Sequence, residues 1–157
     1  MRRSIIVLSS FILFSFSGCK EAAIVLTYEQ QMAIDRDLIQ TYLTENGIDA
    51  LEHESGIFYT INREGTGVFP SSFSSVKCNY KGSLLGETAF FDTGVNSGFS
   101  LSGVIKGWQI GIPLVAEGGS ITLYIPSRLA YGTRGSPGGI PGNANLVFKV
   151  DLLDVLN

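Results

Sequence analysis

Two kinds of hydrophobic pattern divide the chain. Between Thr27 and Gly47 the apolar residues Tyr28, Met32, Ile34, Leu38, Ile39, Tyr42 and Leu43 fall on a broad half of a helical wheel. Thr27 with Gln30 three residues later fits a capping box, and Gly47 fits the residue just past a helix end. Gln31 and Asp35 intrude on the apolar half. The stripe predicts a helix packed on its own domain, with a dimer contact as the alternative. From Ile57 onward the pattern shortens to runs rich in β-branched and aromatic residues, at 57–61, 75–80, 88–91, 120–125 and 146–153. Gly, Pro, Ser or Asn clusters separate them, and residues 106–112 predict a turn or two of helix ending at Pro113. The predicted class is α+β: an antiparallel sheet with one short helix against it and an extra N-terminal helix. No internal repeat or low-complexity tract interrupts it.

The first residues follow a third pattern. Arg2 and Arg3 precede an apolar stretch over residues 5–16, which ends in Ser17, Gly18 and Cys19. The stretch is shorter than the roughly 20 apolar residues a spanning helix needs. A basic start, a short apolar middle and a small-residue end match an export signal over residues 1–18. Phe16-Ser17-Gly18-Cys19 also resembles a bacterial lipoprotein box, with Phe where Leu is commoner. That resemblance implies lipidation of Cys19, then a tether over residues 19–26. The mature protein would be anchored to a bacterial membrane, on the outer membrane facing the periplasm or at the cell surface. An ordinary secretory signal with an incidental Cys19 is the alternative. Cleavage before Cys19 would remove two arginines and take the formal charge from -3 to -5.

Composition removes many chemistries. With 19 glycines, 45% hydrophobic residues and no run of Lys or Arg, the chain reads as globular and turn-rich rather than nucleic-acid-binding. His53 is the only histidine, which leaves little material for His-based triads or zinc sites. It stands between Glu52 and Glu54 and reads as a solvated loop residue. There is no Walker or dinucleotide-binding glycine motif, and no paired carboxylates are evident. No metal and no cofactor are expected. Once Cys19 is acylated, Cys78 is the only free thiol, and its place beside Val76 and Tyr80 favours a small buried thiol over a reactive one. What remains are aromatics near turns, among them Phe90, Phe91, Phe99 and Trp108, which composition alone would assign to the core.

Order and spacing change that reading. Tyr80-Lys81-Gly82-Ser83-Leu84 is similar to the Tyr-x-Gly-x-Leu strand of FKBP-type peptidyl-prolyl cis-trans isomerases. Phe91-Asp92-Thr93 resembles their Phe-Asp-Ser, and Phe99-Ser100-Leu101 their Phe-x-Leu. Val104-Ile105-Lys106-Gly107-Trp108-Gln109-Ile110-Gly111 resembles the Val-Ile-x-Gly-Trp-x-x-Gly that leads into the family's single helix. Ala130-Tyr131-Gly132, Ser136-Pro137-Gly138 and Ile140-Pro141 match the flap, and residues 146–153 match the closing strand. The resemblance covers residues 55–156, within a domain taken as 55–157 after a helical segment at 27–54.

It implies an FKBP-like antiparallel sheet curved around one short helix, and a concave apolar pocket. Trp108 would form the floor, ringed by Tyr80, Phe91, Phe99, Val104, Ile105, Tyr131, Ile140 and Phe148. The Tyr131 hydroxyl and the Ile105 backbone N–H would hold substrate carbonyls. Asp92, oriented by Tyr80, would stand near the twisted amide. Proline-containing polypeptides are the implied partners, together with tacrolimus-type macrolides. The implied role is folding of exported proteins; the alternative is an FKBP-like binding module or chaperone subunit of an envelope complex. Three features depart from the family pattern. No basic residue follows Asp92 over residues 93–97, Ser136 stands where His is common, and Gly139 stands where a flap Ile is usual.

Overall fold

The computed structural model describes residues 26–156. The predicted export signal, the lipidation site Cys19 and the tether up to residue 25 lie outside the described residues. The chain opens with helix α1 (Tyr28–Glu45), followed by β1 (Leu51–Glu52), β2 (Phe58–Arg63), β3 (Ser75–Leu84) and β4 (Phe90–Ser100). Helix α2 (Lys106–Gly111), β5 (Ser120–Ile125) and β6 (Leu146–Leu156) complete it. The strands form one antiparallel sheet of six in the order β1-β2-β5-β6-β3-β4. The class is α+β, as the hydrophobic pattern predicts.

Side chains of a strand alternate between faces, and here both faces of the central strands are covered. Every residue of β5 is buried. Ile121, Leu123 and Ile125 join Ile112, Trp108 and Phe148 in the core beneath α2. On the opposite face Tyr124, Phe58 and Val147 pack with Ile39 and Leu43 of α1. The sheet is therefore a middle layer, with a short helix on one side and a long one on the other.

Helix α2 approaches the sheet unusually closely because it turns two glycines to it. A Cβ on Gly107 would sit 2.4 Å from Ile125 Cγ2, and one on Gly111 2.5 Å from Leu123 Cδ2. The spacing of four residues puts both on one helix face. These contacts hold Trp108, one residue past Gly107, against the sheet.

Helix α1 begins as predicted. The Thr27 hydroxyl accepts from the Gln30 N–H at 3.2 Å, and the Gln30 side chain accepts from the Thr27 N–H at 2.9 Å. Its buried face differs from the expected apolar half. Gln31, Asp35, Ile39 and Leu43 are buried, whereas Tyr28, Ile34 and Leu38 are half exposed. The intruding polar residues are the inward ones, because the turn at Ser127 and the side chain of Asn145 meet them with hydrogen bonds. The helix packs on its own domain.

Two further expectations change. Strand β4 runs well past the predicted residues 88–91, since an edge strand pairs on one side only and tolerates Gly94, Asn96 and Gly98. Asn96 takes φ +50° where the register with β3 shifts. Strand β1 is too short to carry a pattern. His53 is half buried rather than solvated: its Nδ1 accepts from the Ser55 N–H at 3.1 Å and organises the turn into β2. Cys78 is fully buried, and burial pushes its thiol pKa up to about 12, as an inert core thiol requires. Among the described residues, no helix is long and apolar enough to cross a membrane.

Candidate active site

The predicted site residues arrive from four separate elements. Strand β3 supplies Tyr80, β4 supplies Asp92 and Phe99, α2 supplies Trp108 with Ile105 at its N-cap, and β6 supplies Phe148. With Val104 and Tyr131 they line one cavity of about 360 Å3. Gly103 also lines it and was not predicted, since a glycine offers no side chain to single it out. Phe91 and Ile140 line a smaller adjoining cavity of about 190 Å3 beneath the flap, which shares Asp92 and Tyr131 with the first. Ile140 is buried in the main core and so anchors the flap instead of forming an open rim.

The floor is a nest of rings. Trp108 is 4% exposed and meets Tyr80 and Phe148 edge-on, each with centroids 5.3 Å apart and planes at 87°. Phe99 stands 5.4 Å away at 73°. Phe91 is likewise edge-on to Phe148 at 5.6 Å. Edge-to-face pairs place positive ring edges on negative faces, and each adds about 0.5–1.5 kcal/mol beyond buried area. Two glycines make room. A Cβ on Gly82 would lie 2.6 Å from Phe148 Cε1, and one on Gly94 2.2 Å from Tyr80 Cε1. The Trp108 Nε1 is buried with no hydrogen-bond partner among the described residues. Phe90, another candidate aromatic, points away from the floor, half exposed beneath Lys81 Nζ at 5.3 Å from the ring centroid.

The polar groups sit around this apolar bowl. The Tyr80 hydroxyl donates to Asp92 Oδ2 at 3.0 Å. Burial, reinforced by that bond and the nearby carboxylate, pushes the Tyr80 phenol pKa up to about 12. Burial and the Asp92 charge also raise Tyr131. Both phenols therefore stay neutral donors at physiological pH. No Lys or Arg pairs with Asp92 among the described residues, consistent with the missing basic residue after it. The Ile105 carbonyl accepts from the Trp108 and Gln109 N–H groups at 3.0 and 3.2 Å. Its own N–H donates to no protein group among the described residues, and neither does the Tyr131 hydroxyl.

The flap is a small hairpin. Ser136 and Ile140 exchange backbone bonds of 2.9 and 3.3 Å around Pro137, Gly138 and Gly139. Gly138 and Gly139 take φ of +103° and +114°, a tight turn that disfavours the isoleucine usual in the family at the position of Gly139. Larger clefts lie elsewhere, one of about 630 Å3 along Asp37 and Thr44, one of about 600 Å3 near Lys81 and Lys149 and one of about 420 Å3 beside Arg36 and His53. Of these only the second borders a Phe, Tyr or Trp ring, that of Tyr80, and none is lined by Trp108 or Tyr131.

The family model described as FKBP-type peptidyl-prolyl cis-trans isomerase matches residues 67–153. The chain belongs to that family. The match begins after β2, although β2 pairs along its length with β5, so the FKBP-type sheet extends N-terminal to the matched segment. The chain is 40% identical over 119 residues to the FKBP-type peptidyl-prolyl cis-trans isomerase FkpA of Escherichia coli K12, covering 74% of this chain and 43% of that one. It is 42% identical over 105 residues to FkpA of Aeromonas hydrophila, 65% of this chain and 39% of that one. It thus spans less than half the length of these two relatives. The crystal structure of a peptidyl-prolyl cis-trans isomerase from Pseudomonas syringae pv. tomato superposes with a TM-score of 0.71 at 28% identity, over 85% of this chain and 99% of that one. FkpA from Escherichia coli superposes with a TM-score of 0.70 at 36% identity, over 82% of this chain and 62% of that one.

A floor this dense should be costly to remove. Trp108→Ala is expected to destabilise the protein by about 3–5 kcal/mol, read from the urea midpoint. A cost below about 1 kcal/mol would contradict the packing described.

Proposed function

We propose that the chain is a peptidyl-prolyl cis-trans isomerase acting on X-Pro bonds of polypeptides folding outside the cytoplasm. The observation that carries this reading is the pair of unclaimed donors, the Ile105 N–H and the Tyr131 hydroxyl, beside a bowl floored by Trp108. A carbonyl on either side of the scissile-free, rotating amide can occupy each donor. The proline ring then lies on the indole, ringed by Phe99, Val104, Phe148 and, nearer the flap, Phe91 and Ile140.

The chemistry asks for little else. The planar amide owes its barrier of about 18–20 kcal/mol to resonance. Uncatalysed exchange at proline takes roughly 10–100 s at 25 °C. Twisting removes the resonance and leaves a less polar carbonyl and a pyramidal nitrogen. A dry aromatic bowl favours that form over the planar dipole, which water stabilises, so the pocket binds the transition state better than the ground state. No covalent bond is made or broken, and no cofactor is required. Asp92, which accepts from the Tyr80 hydroxyl, stands as a hydrogen-bonding group near the twisted amide. A tacrolimus-type macrolide with a ring and flanking carbonyls would fill the same bowl.

Tyr131→Phe removes one hydrogen bond worth on the order of 1 kcal/mol. It is expected to lower kcat/KM about fivefold in a protease-free isomerisation assay while leaving the urea midpoint close to wild type. Wild-type turnover by this variant would count against the site assignment. No acceleration by the unaltered protein would refute the reading itself.

Residues 1–18 are read as an export signal and Cys19 as a lipidated mature N-terminus, followed by a tether to residue 26, a helical segment at 27–54 and the isomerase domain at 55–157. Acyl chains would hold the protein on the outer membrane, facing the periplasm or the cell surface. The basis is Arg2-Arg3, the short apolar run and the Phe16-Ser17-Gly18-Cys19 box. Several acyl chains anchor stably where one binds only marginally. Cys19→Ser is therefore expected to move the exported protein from the membrane fraction to the soluble one. Membrane association that survives the substitution would exclude lipidation as the anchor.

A further inference from the structure

The buried face of α1 carries two polar side chains, Gln31 and Asp35, where a docking helix ordinarily carries hydrocarbon. Asp35 is fully buried, and no cation pairs with it among the described residues. Neutral donors hold its carboxylate instead. Oδ2 accepts from the Ser127 N–H at 2.9 Å and from the Ser127 hydroxyl at 2.6 Å. Oδ1 accepts from Gln31 Nε2 at 2.8 Å. Asn145 closes the network: its Oδ1 accepts from the same Ser127 N–H at 3.1 Å, and its Nδ2 donates to the Asp35 carbonyl at 3.4 Å.

Moving a carboxylate out of water is unfavourable, and neutral donors offset that only in part. A leucine would dock α1 at less cost. What the carboxylate adds is direction, because it fixes both donors of a single residue. Ser127 opens the turn Ser127–Leu129, and the Ala130 N–H returns to the Ser127 carbonyl at 3.0 Å. Tyr131 is the next residue. The start of α1 grips the same turn, with the Arg128 guanidinium 5.9 Å from the Tyr28 ring centroid and its Nη2 donating to the Leu26 carbonyl at 3.4 Å.

We infer that Asp35 is a positioning residue for the Tyr131 hydroxyl, so that α1, outside the family-matched segment, sets the placement of a donor inside the site. The inference rests on the isomerase reading above. Asp35→Asn keeps the volume but leaves one acceptor oxygen for three donors. Ser127→Ala removes one donor and keeps the backbone N–H.

The test is a double-mutant cycle on the full chain in mild detergent, with turnover of a Leu-Pro peptide measured well below each variant's unfolding transition. Asp35→Asn and Ser127→Ala are each expected to lower kcat/KM about two- to fivefold, no more than Tyr131→Phe does. Adding Asp35→Asn to Tyr131→Phe should change nothing further, because the hydroxyl it positions is gone. A general loosening of the fold would lower both backgrounds equally, and that additivity would overturn the inference. So would wild-type turnover by a folded Asp35→Asn protein. Should Asp35→Asn fail to fold, the cycle of Ser127→Ala with Tyr131→Phe decides by the same criterion. An inactive wild type would overturn the isomerase reading and the inference with it, whereas an active wild type with additive losses overturns the inference alone.

Discussion

The structure around the cavity depends on the edge-on packing of Trp108 between Tyr80 and Phe148. That arrangement requires three backbones to come closer than a Cβ would permit. Gly107 brings α2 onto Ile125, Gly82 admits the rings of Phe148 and Phe91, and Gly94 admits Tyr80. The glycines of the Tyr-x-Gly and Gly-Trp motifs are thus spacing devices for rings. Once the indole is seated, the N-cap of α2 leaves the Ile105 N–H unclaimed at the edge of the bowl. The apolar floor and one of its polar donors follow from the same close contact.

The second constraint acts from the other side of the sheet. Strand β5 is buried on both faces, so its outer face needs cover, and α1 provides it through Ile39 and Leu43. The same helix fastens the turn at Ser127 through Asp35, five residues from the start of the flap region at Gly132. The long helix is accordingly part of the framework that holds the candidate site. Ring packing shapes the bowl from one face, and a buried polar network holds the loop carrying Tyr131 from the other.

Much of this was legible in the sequence where a residue's chemistry dictates its place. The capping box at Thr27, the strand at residues 120–125 and the helix after Ile105 follow from local rules that tertiary packing did not override. Eight of the proposed site residues, from Tyr80 to Phe148, share one cavity because motif spacing reflects strand register. The buried face of α1 was only partly legible: the helical wheel puts Gln31 and Asp35 on the apolar half, but their polarity alone assigns them no buried role. Only the donors at Ser127 and Asn145, about a hundred residues away, give them one. Strand β4 was hidden for a related reason: an edge strand with a shifted register carries glycine and asparagine where a central one would carry valine. Flap residue Ile140 is a core anchor because its neighbours Gly138 and Gly139 turn the chain back on itself.

On the proposed reading, the apolar bowl, more than any charge, selects and twists the substrate. The most direct test varies the residue before proline in a peptide series at low and high salt. A leucine there buries apolar area worth about 25 cal/mol per Å2. A glutamate must be partly desolvated without a partner, and Asp92 adds a repulsion screened over about 8 Å at physiological salt. Leu-Pro is expected to show a kcat/KM several-fold above Glu-Pro, with most of the gap surviving at high salt. Equal turnover of the two peptides at both salts would contradict that reading.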